Sequence, residues 1–228
     1  MLIKFIKNGH SMDLMTILWN QTFQIFCQSL NSSIMLYSNQ LPIFEYNLRI
    51  TPPDPVYSQI VKMKSEFIQY FGAGLYSRSS PHATVANFCM NSQHETKLLR
   101  HLHNTLTNRS FPVSFKKVSG FQDIHMVVVD IAYNPVLRSQ MAGLHKVLRN
   151  DLRISSKYAS VVDQFHITVG QASNSLDYSK AIQLLNTLKL DWEFFSTDFV
   201  LVKRPLGKPV SWEHCYTFQL DQVEAVVA

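Results

Sequence analysis

Charged side chains are sparse in this 228-residue chain, in which Asp, Glu, Lys and Arg together make up 16%. No run of like charges occurs, so a polybasic or polyacidic tail is excluded, and the net charge of +5 gives only a mild preference for anionic partners such as phosphates or RNA. The three cysteines are odd in number and widely spaced, which argues against a disulfide framework and favours a reducing, cytoplasmic compartment. Because no CxxC pair or Cys/His cluster with zinc spacing occurs, the sequence predicts neither a metal site nor a cofactor.

A hydrophobic run long enough to span a membrane is lacking as well. The first 42 residues have a basic start and a hydrophobic middle, which is interrupted by Asn20, Gln21, Gln24 and Gln28. This segment also lacks a signal-peptide core and a clear small-residue cleavage site. Residues 1–42 are therefore interpreted as an N-terminal extension without a catalytic role. A disordered segment, a peripheral amphipathic helix and the product of an upstream start codon all remain open.

Hydrophobic and aromatic residues are plentiful, at 46% and 12%, and are sufficient for one substantial core or for two lobes of one fold. From residue 43 onwards their spacing predicts alternating strands and helices. The first half is predicted to contain a strand over 44–50, a helix from Asp54 to Gly72, a strand carrying His82, a Leu-rich helix, and strands near 112–119 and 125–132. The second half is predicted to contain a helix starting at Asn134, a polar loop near 153–160, a strand carrying His166, a helix over 177–190, and strands over 198–203 and 214–220.

The two halves thus have a comparable order of elements, which is typical of a duplication. We expect an α+β, two-lobed duplicated fold over residues 43–221, with antiparallel sheets facing a central cleft and helices on the outside. Residues 222–228 are expected to form a C-terminal tail.

Two copies of a His-x-Thr pattern stand out, HAT at 82–84 and HIT at 166–168. Both lie in apolar, alternating segments that are typical of strands. Side chains at i and i+2 of a strand project from the same face, so each copy presents an imidazole and a hydroxyl side by side. Two such pairs facing one cleft would supply two titratable groups for acid–base catalysis and two donors for a phosphate between them.

Two further matches to the same pattern, at 94–96 and 103–105, are predicted to lie in or at the start of a helix. Leucines with helical spacing follow SQHE at 92–95, which resembles a capping box. Residues two apart on a helix point in divergent directions. We therefore interpret His94 and His103 as solvated residues on the surface of a helix.

Several other residues are weaker candidates for substrate binding. His125 begins an apolar strand and could reach the cleft, with a hydrogen-bonded core histidine as the alternative. Lys203 and Arg204 end a strand with clustered positive charge that could hold phosphates, and a solvated loop is the alternative. Tyr158 and Phe88 could stack on bases. Phe88 is predicted to lie on the His82 face of its strand, where ordinary packing is favoured.

Together these features resemble the two-histidine (2H) phosphoesterases, which include the bacterial 2'-5' RNA ligase-like proteins and the RNA 2',3'-cyclic phosphodiesterases. The resemblance rests on PHATVANF and FHITVGQ, on the separation of the two histidines by 84 positions (166 − 82), and on the order of elements across 43–221. The second motif departs from the first in having Phe165 where the first has Pro81.

The resemblance implies a metal-independent phosphoesterase acting on 2',3'-cyclic phosphate or 2'-5' phosphodiester bonds of RNA or small nucleotides. His82 and His166 would be the acid and the base, in an order that the sequence leaves open, and Thr84 and Thr168 would bind the phosphate. Histidine suits both roles because its ordinary pKa of about 6.5 lies near the working pH.

The implied partners are RNA ends or nucleotide cyclic phosphates. The direction of the reaction, hydrolysis or ligation, and the oligomeric state stay open. Two alternatives also stay open: an RNA-binding module on the same fold with little turnover, and a structural protein in which the His-Thr pairs are buried.

Overall fold

A computed structural model describes residues 42–74, 76–106, 109–208 and 210–221. The expectations for residues 1–41 and for the tail at 222–228 lie outside these ranges. None of the helices in the described ranges is long and apolar enough to cross a membrane.

The described chain forms nine strands and four main helices. The strands are β1 (Ile43–Ile50), β2 (Ala83–Asn91), β3 (Phe111–Phe121), β4 (Met126–Ile131), β5 (Ala159–Val161), β6 (His166–Gln171), β7 (Glu193–Ser196), β8 (Asp198–Pro205) and β9 (Glu213–Gln219). The helices are α1 (Val56–Phe71), α2 (Glu95–Leu106), α3 (Pro135–Lys146) and α4 (Ser175–Leu185).

The strands form one curled antiparallel sheet in the order β7-β3-β4-β6-β2-β1-β8-β9, with β5 paired to β2. Its two halves meet between β6 and β2, where a single residue pair, Ala83 with Ile167, joins them. The expected α+β architecture of two lobes with antiparallel strands is confirmed, and the two strands that carry the His-x-Thr pairs are the central neighbours.

The helices cover one face of the sheet. Helix α1 packs on β6 and α4 on β3 and β4, whereas α2 contacts β9 and α3 contacts β5. Large side chains are fully buried beneath them, among them Tyr46, Phe67, Phe88, Phe111 and Phe199. Each such burial contributes roughly 1.5–3 kcal/mol. Because the helices take up this face, the opposite face of the sheet is left as the cleft.

A close approach positions α1 against β6. A Cβ at Gly170 would lie 2.5 Å from the Phe67 ring, so glycine is needed where this aromatic side chain meets the strand. Phe67 is fully buried. The motif of β6 is thereby held against the helix that follows β1.

Most of the predicted elements are confirmed, with local differences. The helix predicted over 177–190 is α4 and ends at Leu185. Helix α3 begins as expected, with the Asn134 side chain accepting a hydrogen bond from the Leu137 amide at 3.0 Å. Strands β5 and β7 were not predicted, because three- and four-residue strands are too short to show a periodic pattern.

Candidate active site

The register at the centre of the sheet places the two His-x-Thr pairs on one face. Because Ala83 pairs with Ile167 in antiparallel register, His82 lies across from Thr168 and Thr84 lies across from His166. Ala83 and Ile167 are buried on the helix side, so all four motif side chains project into the cleft. The histidines are diagonal neighbours, about 7–8 Å apart at the backbone, a spacing that one phosphate can bridge.

The two imidazoles are held by matching hydrogen bonds. His82 Nδ1 lies 2.7 Å from the carbonyl oxygen of Ser80, and His166 Nδ1 lies 3.1 Å from the carbonyl oxygen of Gln164. A carbonyl oxygen only accepts, so Nδ1 must carry the proton in both rings. Each Nε2 is therefore the atom that exchanges a proton with a ligand.

The two threonines have different supports. Thr84 Oγ1 accepts a hydrogen bond from Asn47 Nδ2 at 3.2 Å, which leaves its proton to be donated elsewhere. Thr168 Oγ1 donates to the sulfur of Met126 at 3.7 Å, a weak bond that an anionic oxygen would readily replace. Both hydroxyls can thus donate to an anion in the cleft.

Burial and positive charge keep the His82 imidazole neutral. Desolvation, together with the nearby charge of Arg49, lowers the pKa of His82 to about 4, and Lys64 and His166 act in the same direction. The bond to the Ser80 carbonyl opposes these effects only partly. The His82 imidazole is therefore neutral near pH 7, with Nε2 as a hydrogen-bond acceptor.

His166 has a different electrostatic environment. Burial lowers its pKa, whereas the bond to Gln164 and the negative charge of Asp130 raise it. Asp130 is buried and lies directly across from His166 in the pairing of β4 with β6. The ring of Phe121 packs edge-on against the imidazole, with 5.1 Å between centroids, and excludes water from one side.

A buried lysine links β6 to the turn that precedes β2. Lys64 on α1 donates to the backbone oxygen of Thr168 at 2.8 Å and to that of Tyr76 at 3.0 Å, in the segment leading to His82. Burial lowers its pKa to about 8. Through its two bonds the ammonium group holds the Thr168 backbone and the segment before His82 in a fixed relative position.

Of the weaker candidates on β8, one lies at the cleft and one does not. Lys203 projects from the helix side of β8, where it forms an ion pair with Glu95 of α2 at 2.7 Å. Successive residues of a strand face opposite sides, so its neighbour Arg204 projects the other way. Arg204 does lie on the cleft face, where it pairs with Glu45 at 2.7 Å and stacks 4.3 Å from the centre of the Trp212 ring.

Tyr158 and His125 both lie away from the central pair. Tyr158 lies beside Cys89, whose amide it binds through its backbone oxygen. Five residues of strand, roughly 17 Å, separate Cys89 from Thr84. His125 packs its ring against Tyr178 of α4, on the helix side.

Phe88 is on the helix side, contrary to the expected His82 face. Its ring stacks on that of Tyr46 with 5.3 Å between centroids, and it is fully buried, as expected for ordinary packing. The register explains the change of face: Leu48 pairs with Ala86 but Arg49 pairs with Thr84, so Val85 is an extra residue in a β-bulge.

Four residues near the motifs were missed by sequence reasoning: Asn47, Arg49, Lys64 and Asp130. The alternation over 44–50 indicated that Asn47 and Arg49 share a face, but only the order of strands shows that this face is the cleft. Asp130 follows three valines in β4, and a charged residue at the end of an apolar strand was the available signal.

Chemically, the cleft brings together two imidazoles with free Nε2 atoms, two hydroxyl donors and a guanidinium. Such a set can bind a tetrahedral anion and transfer protons on two sides of it. Within the described ranges, no group of three or more His, Cys, Asp or Glu side chains is arranged to hold a metal ion.

A family model described as the 2'-5' RNA ligase superfamily matches residues 52–208. The structure is similar to Escherichia coli LigT complexed with NADP+, at 15% identity over 80% of this chain and 100% of that chain, with a TM-score of 0.56. LigT complexed with 3'-AMP is 14% identical over 78% of this chain and 98% of that chain, with a TM-score of 0.57.

A structure of TT0787 of Thermus thermophilus is also similar, at 13% identity over 79% of this chain and 100% of that chain, with a TM-score of 0.56. At these identities the likeness shows the fold. No curated protein matches the chain.

Proposed function

The chain belongs to the 2'-5' RNA ligase superfamily, and we propose that it is a metal-independent phosphoesterase acting on 2',3'-cyclic phosphate or 2'-5' phosphodiester bonds of RNA or small nucleotides. The observation that carries this proposal is the crossed pairing of the two His-x-Thr motifs across Ala83 and Ile167. This pairing supports a site in which two imidazoles and two hydroxyls surround one phosphate.

Opening of a cyclic phosphate follows from this geometry. The oxygen of water forms a new bond to phosphorus while the bond between phosphorus and one ribose oxygen breaks. One neutral imidazole takes the proton of the water, and the other, protonated, gives its proton to the departing ribose oxygen. The product is a phosphomonoester beside a free ribose hydroxyl, and the two histidines finish with their protonation states exchanged.

The unequal environments of the two imidazoles support different roles for them. His82 is the general base, since Arg49 and Lys64 disfavour its protonated form. His166 is the general acid, since the carboxylate of Asp130 favours its protonated form. A bound phosphate adds negative charge beside both rings and raises the pKa of each, so the proton needed by His166 is taken up with the substrate.

Thr84 and Thr168 donate to the non-bridging oxygens, where negative charge grows in the transition state. Removing one such donor costs about 10²–10³ in kcat in well-studied acyl-transfer sites. Asn47 orients the Thr84 hydroxyl, so this donor is in place before the substrate binds. A nucleotide ligand is supported by the structure of LigT, a protein of the same fold, with 3'-AMP.

The test is hydrolysis of a panel of nucleoside 2',3'-cyclic phosphates and 2'-5'-linked dinucleotides in the presence of EDTA. Wild type should form product, and His82→Ala and His166→Ala should each lose at least about 10²-fold in kcat/KM. His103→Ala is the matched control, since His103 belongs to a His-x-Thr sequence on the exposed side of α2. This variant should keep full activity.

Full activity of either cleft variant would overturn the proposal, as would activity that requires an added metal. If wild type binds RNA in a salt-sensitive way and forms no product, the RNA-binding alternative replaces it.

A further inference from the structure

Arg49 is placed at the cleft by its position on β1. It pairs with Thr84 in the antiparallel register, so the two side chains share the cleft face with Cβ atoms about 5 Å apart. Its charge also acts on His82, two residues before Thr84. The guanidinium therefore lies beside the first His-x-Thr pair.

An amide network holds the guanidinium in place. Arg49 Nε donates to Asn47 Oδ1 at 2.8 Å, and Asn47 Nδ2 donates to Thr84 Oγ1 at 3.2 Å and to Asn87 Oδ1 at 2.7 Å. One buried asparagine thus positions both the hydroxyl of Thr84 and the guanidinium. Arg49 Cζ also lies over the Trp212 ring, 5.6 Å from its centre, which is within the range of a cation–π interaction.

Arg49 differs from the two basic residues of β8, which are neutralised, Lys203 by Glu95 and Arg204 by Glu45. In the described part of the chain, no carboxylate forms an ion pair with Arg49, and its Nη2 is buried without a hydrogen-bond partner. Burial of the charge without compensation lowers its pKa to about 10.

A buried, charged N–H group without an acceptor is costly, and such groups are rare unless a ligand completes them. We propose that Arg49 is the third phosphate-binding group of the cleft and donates from Nη2 to a non-bridging oxygen of the reacting phosphate. This inference rests on the proposed function for the identity of that phosphate. Its consequence is a fixed positive charge that holds the anion whatever the protonation of the two histidines.

The ligand class that follows is an anionic phosphate, either a diester monoanion or the monoester dianion formed from it. A neutral phosphotriester has no charged oxygen for the guanidinium. Because Arg49 and Thr84 share Asn47, both would bind the same side of the phosphate. Thr168 would bind from the other strand.

The test compares sulfate and inorganic phosphate binding by isothermal titration at low salt, using wild type, Arg49→Gln, Arg49→Lys and Arg100→Gln. Arg100 lies exposed on α2, so its variant removes the same charge away from the cleft. Arg49→Gln should weaken anion binding about tenfold to a hundredfold, because a charge-assisted bond is lost, and Arg49→Lys should restore part of it. Arg100→Gln should bind as wild type does.

Thermal unfolding, with and without sulfate, separates binding from a structural role. Arg49→Gln should melt close to wild type without sulfate but lose the sulfate-induced rise in Tm. A large fall in Tm in the absence of sulfate, with anion affinity kept, would show a structural role and overturn the proposal. Equal anion affinity in Arg49→Gln and Arg100→Gln would also overturn it, as would failure of wild type to bind either anion.

The same proteins distinguish this inference from the proposed function. If anion binding depends on Arg49 but wild type hydrolyses nothing on the panel, the binding role stands and the proposed function fails. If wild type hydrolyses cyclic phosphates while Arg49→Gln keeps both its KM and its anion affinity, the proposed function stands and the role of Arg49 fails.

Discussion

Ala83 and Ile167 form the single backbone pair through which the two halves of the sheet meet. Both side chains are buried beneath the helices, with 1% exposed each, so the pair cannot shift by one residue without moving apolar groups into the cleft. This register places each histidine across from the threonine of the other motif. The symmetry of the site is thus a consequence of one antiparallel contact between the two halves.

Asp130→Asn should test which histidine is the acid. The carboxylate raises the pKa of His166, so its loss should lower that pKa further, because Asp130 lies directly across from His166 in the sheet. If His166 is the general acid, the alkaline limb of the pH profile of kcat/KM should move to lower pH, with activity lost more at pH 8 than at pH 6.

Asp163→Asn provides the control, since Asp163 is exposed and nearer in sequence to His166 but not opposite it in the sheet. Its profile should match that of wild type. Movement of the acidic limb alone in Asp130→Asn would mean that His166 is the base.

Asn47→Asp should weaken phosphate binding while the protein stays folded. A carboxylate at this position can accept from Arg49 Nε, as the amide oxygen does at 2.8 Å, and forms an ion pair that neutralises the guanidinium. It can no longer donate to Thr84 or Asn87. We expect KM for a cyclic phosphate to rise about tenfold or more, with a Tm close to that of wild type. An unchanged KM would show that neither Arg49 nor Thr84 binds the phosphate.

The sequence predicted seven of the nine described strands, the four main helices and the four motif groups, because each of these depends on a local pattern. It could not predict contributions that depend on which strands become neighbours. Asp130 was missed because it is 36 residues before His166 (166 − 130) and meets it only through the pairing of β4 with β6. Asn47 and Arg49 were recognised as the polar side of a strand, but the sequence did not show that this side lines the cleft.

The bulge at Val85 illustrates a second limit. Alternation from His82 and Thr84 predicts that Phe88 shares their face, whereas the extra residue moves Phe88 to the core and Asn87 to the cleft. The sequence VANF at 85–88 has no glycine or other signal of a bulge. Lys203 was a candidate for binding phosphate but lies outside the cleft, for a simpler reason. Which residues of β8 face the cleft depends on the register of β8 with β1, and the sequence does not show that register.

Lys64→Met should change both activity and the pH dependence of stability. The pKa of Lys64 is about 8 in the folded protein against an ordinary value of 10.5, so between these values the unfolded chain binds more protons. The free energy of unfolding of wild type should therefore rise with pH in this window, by up to about 1.4 kcal/mol per unit, relative to the variant.

Chemical denaturation of both proteins at several pH values measures this difference, because the other titrating groups are common to the two. Loss of the bonds to Thr168 and Tyr76 should also lower kcat, since β6 and the turn that leads to His82 are no longer tied together. If the free energies of unfolding of wild type and Lys64→Met change in parallel with pH and kcat is unchanged, the proposed role of Lys64 is ruled out. Lys62→Met, on the exposed side of α1, is the control.

Anion binding should be coupled to proton uptake. Before an anion binds, the pKa of His82 is about 4 and that of His166 is also lowered, chiefly by burial, so both rings are neutral at pH 7. An anion held between them stabilises the protonated imidazole, so the pKa rises on binding and a proton is taken up. Sulfate is a suitable probe because it does not titrate near neutral pH. Its affinity should increase as the pH falls from about 8 to about 5.5, by at most about tenfold per unit for one proton.

Calorimetric titration of sulfate in two buffers of different ionisation enthalpy gives the number of protons taken up for each sulfate bound. His166→Ala should reduce the uptake, whereas His103→Gln on α2 should leave it unchanged. Arg49 should maintain a residual affinity at the alkaline end, where both imidazoles are neutral, because its charge persists there. Binding without proton uptake at any pH would place the anion away from the imidazoles, since a charge within hydrogen-bond reach of Nε2 must shift its titration.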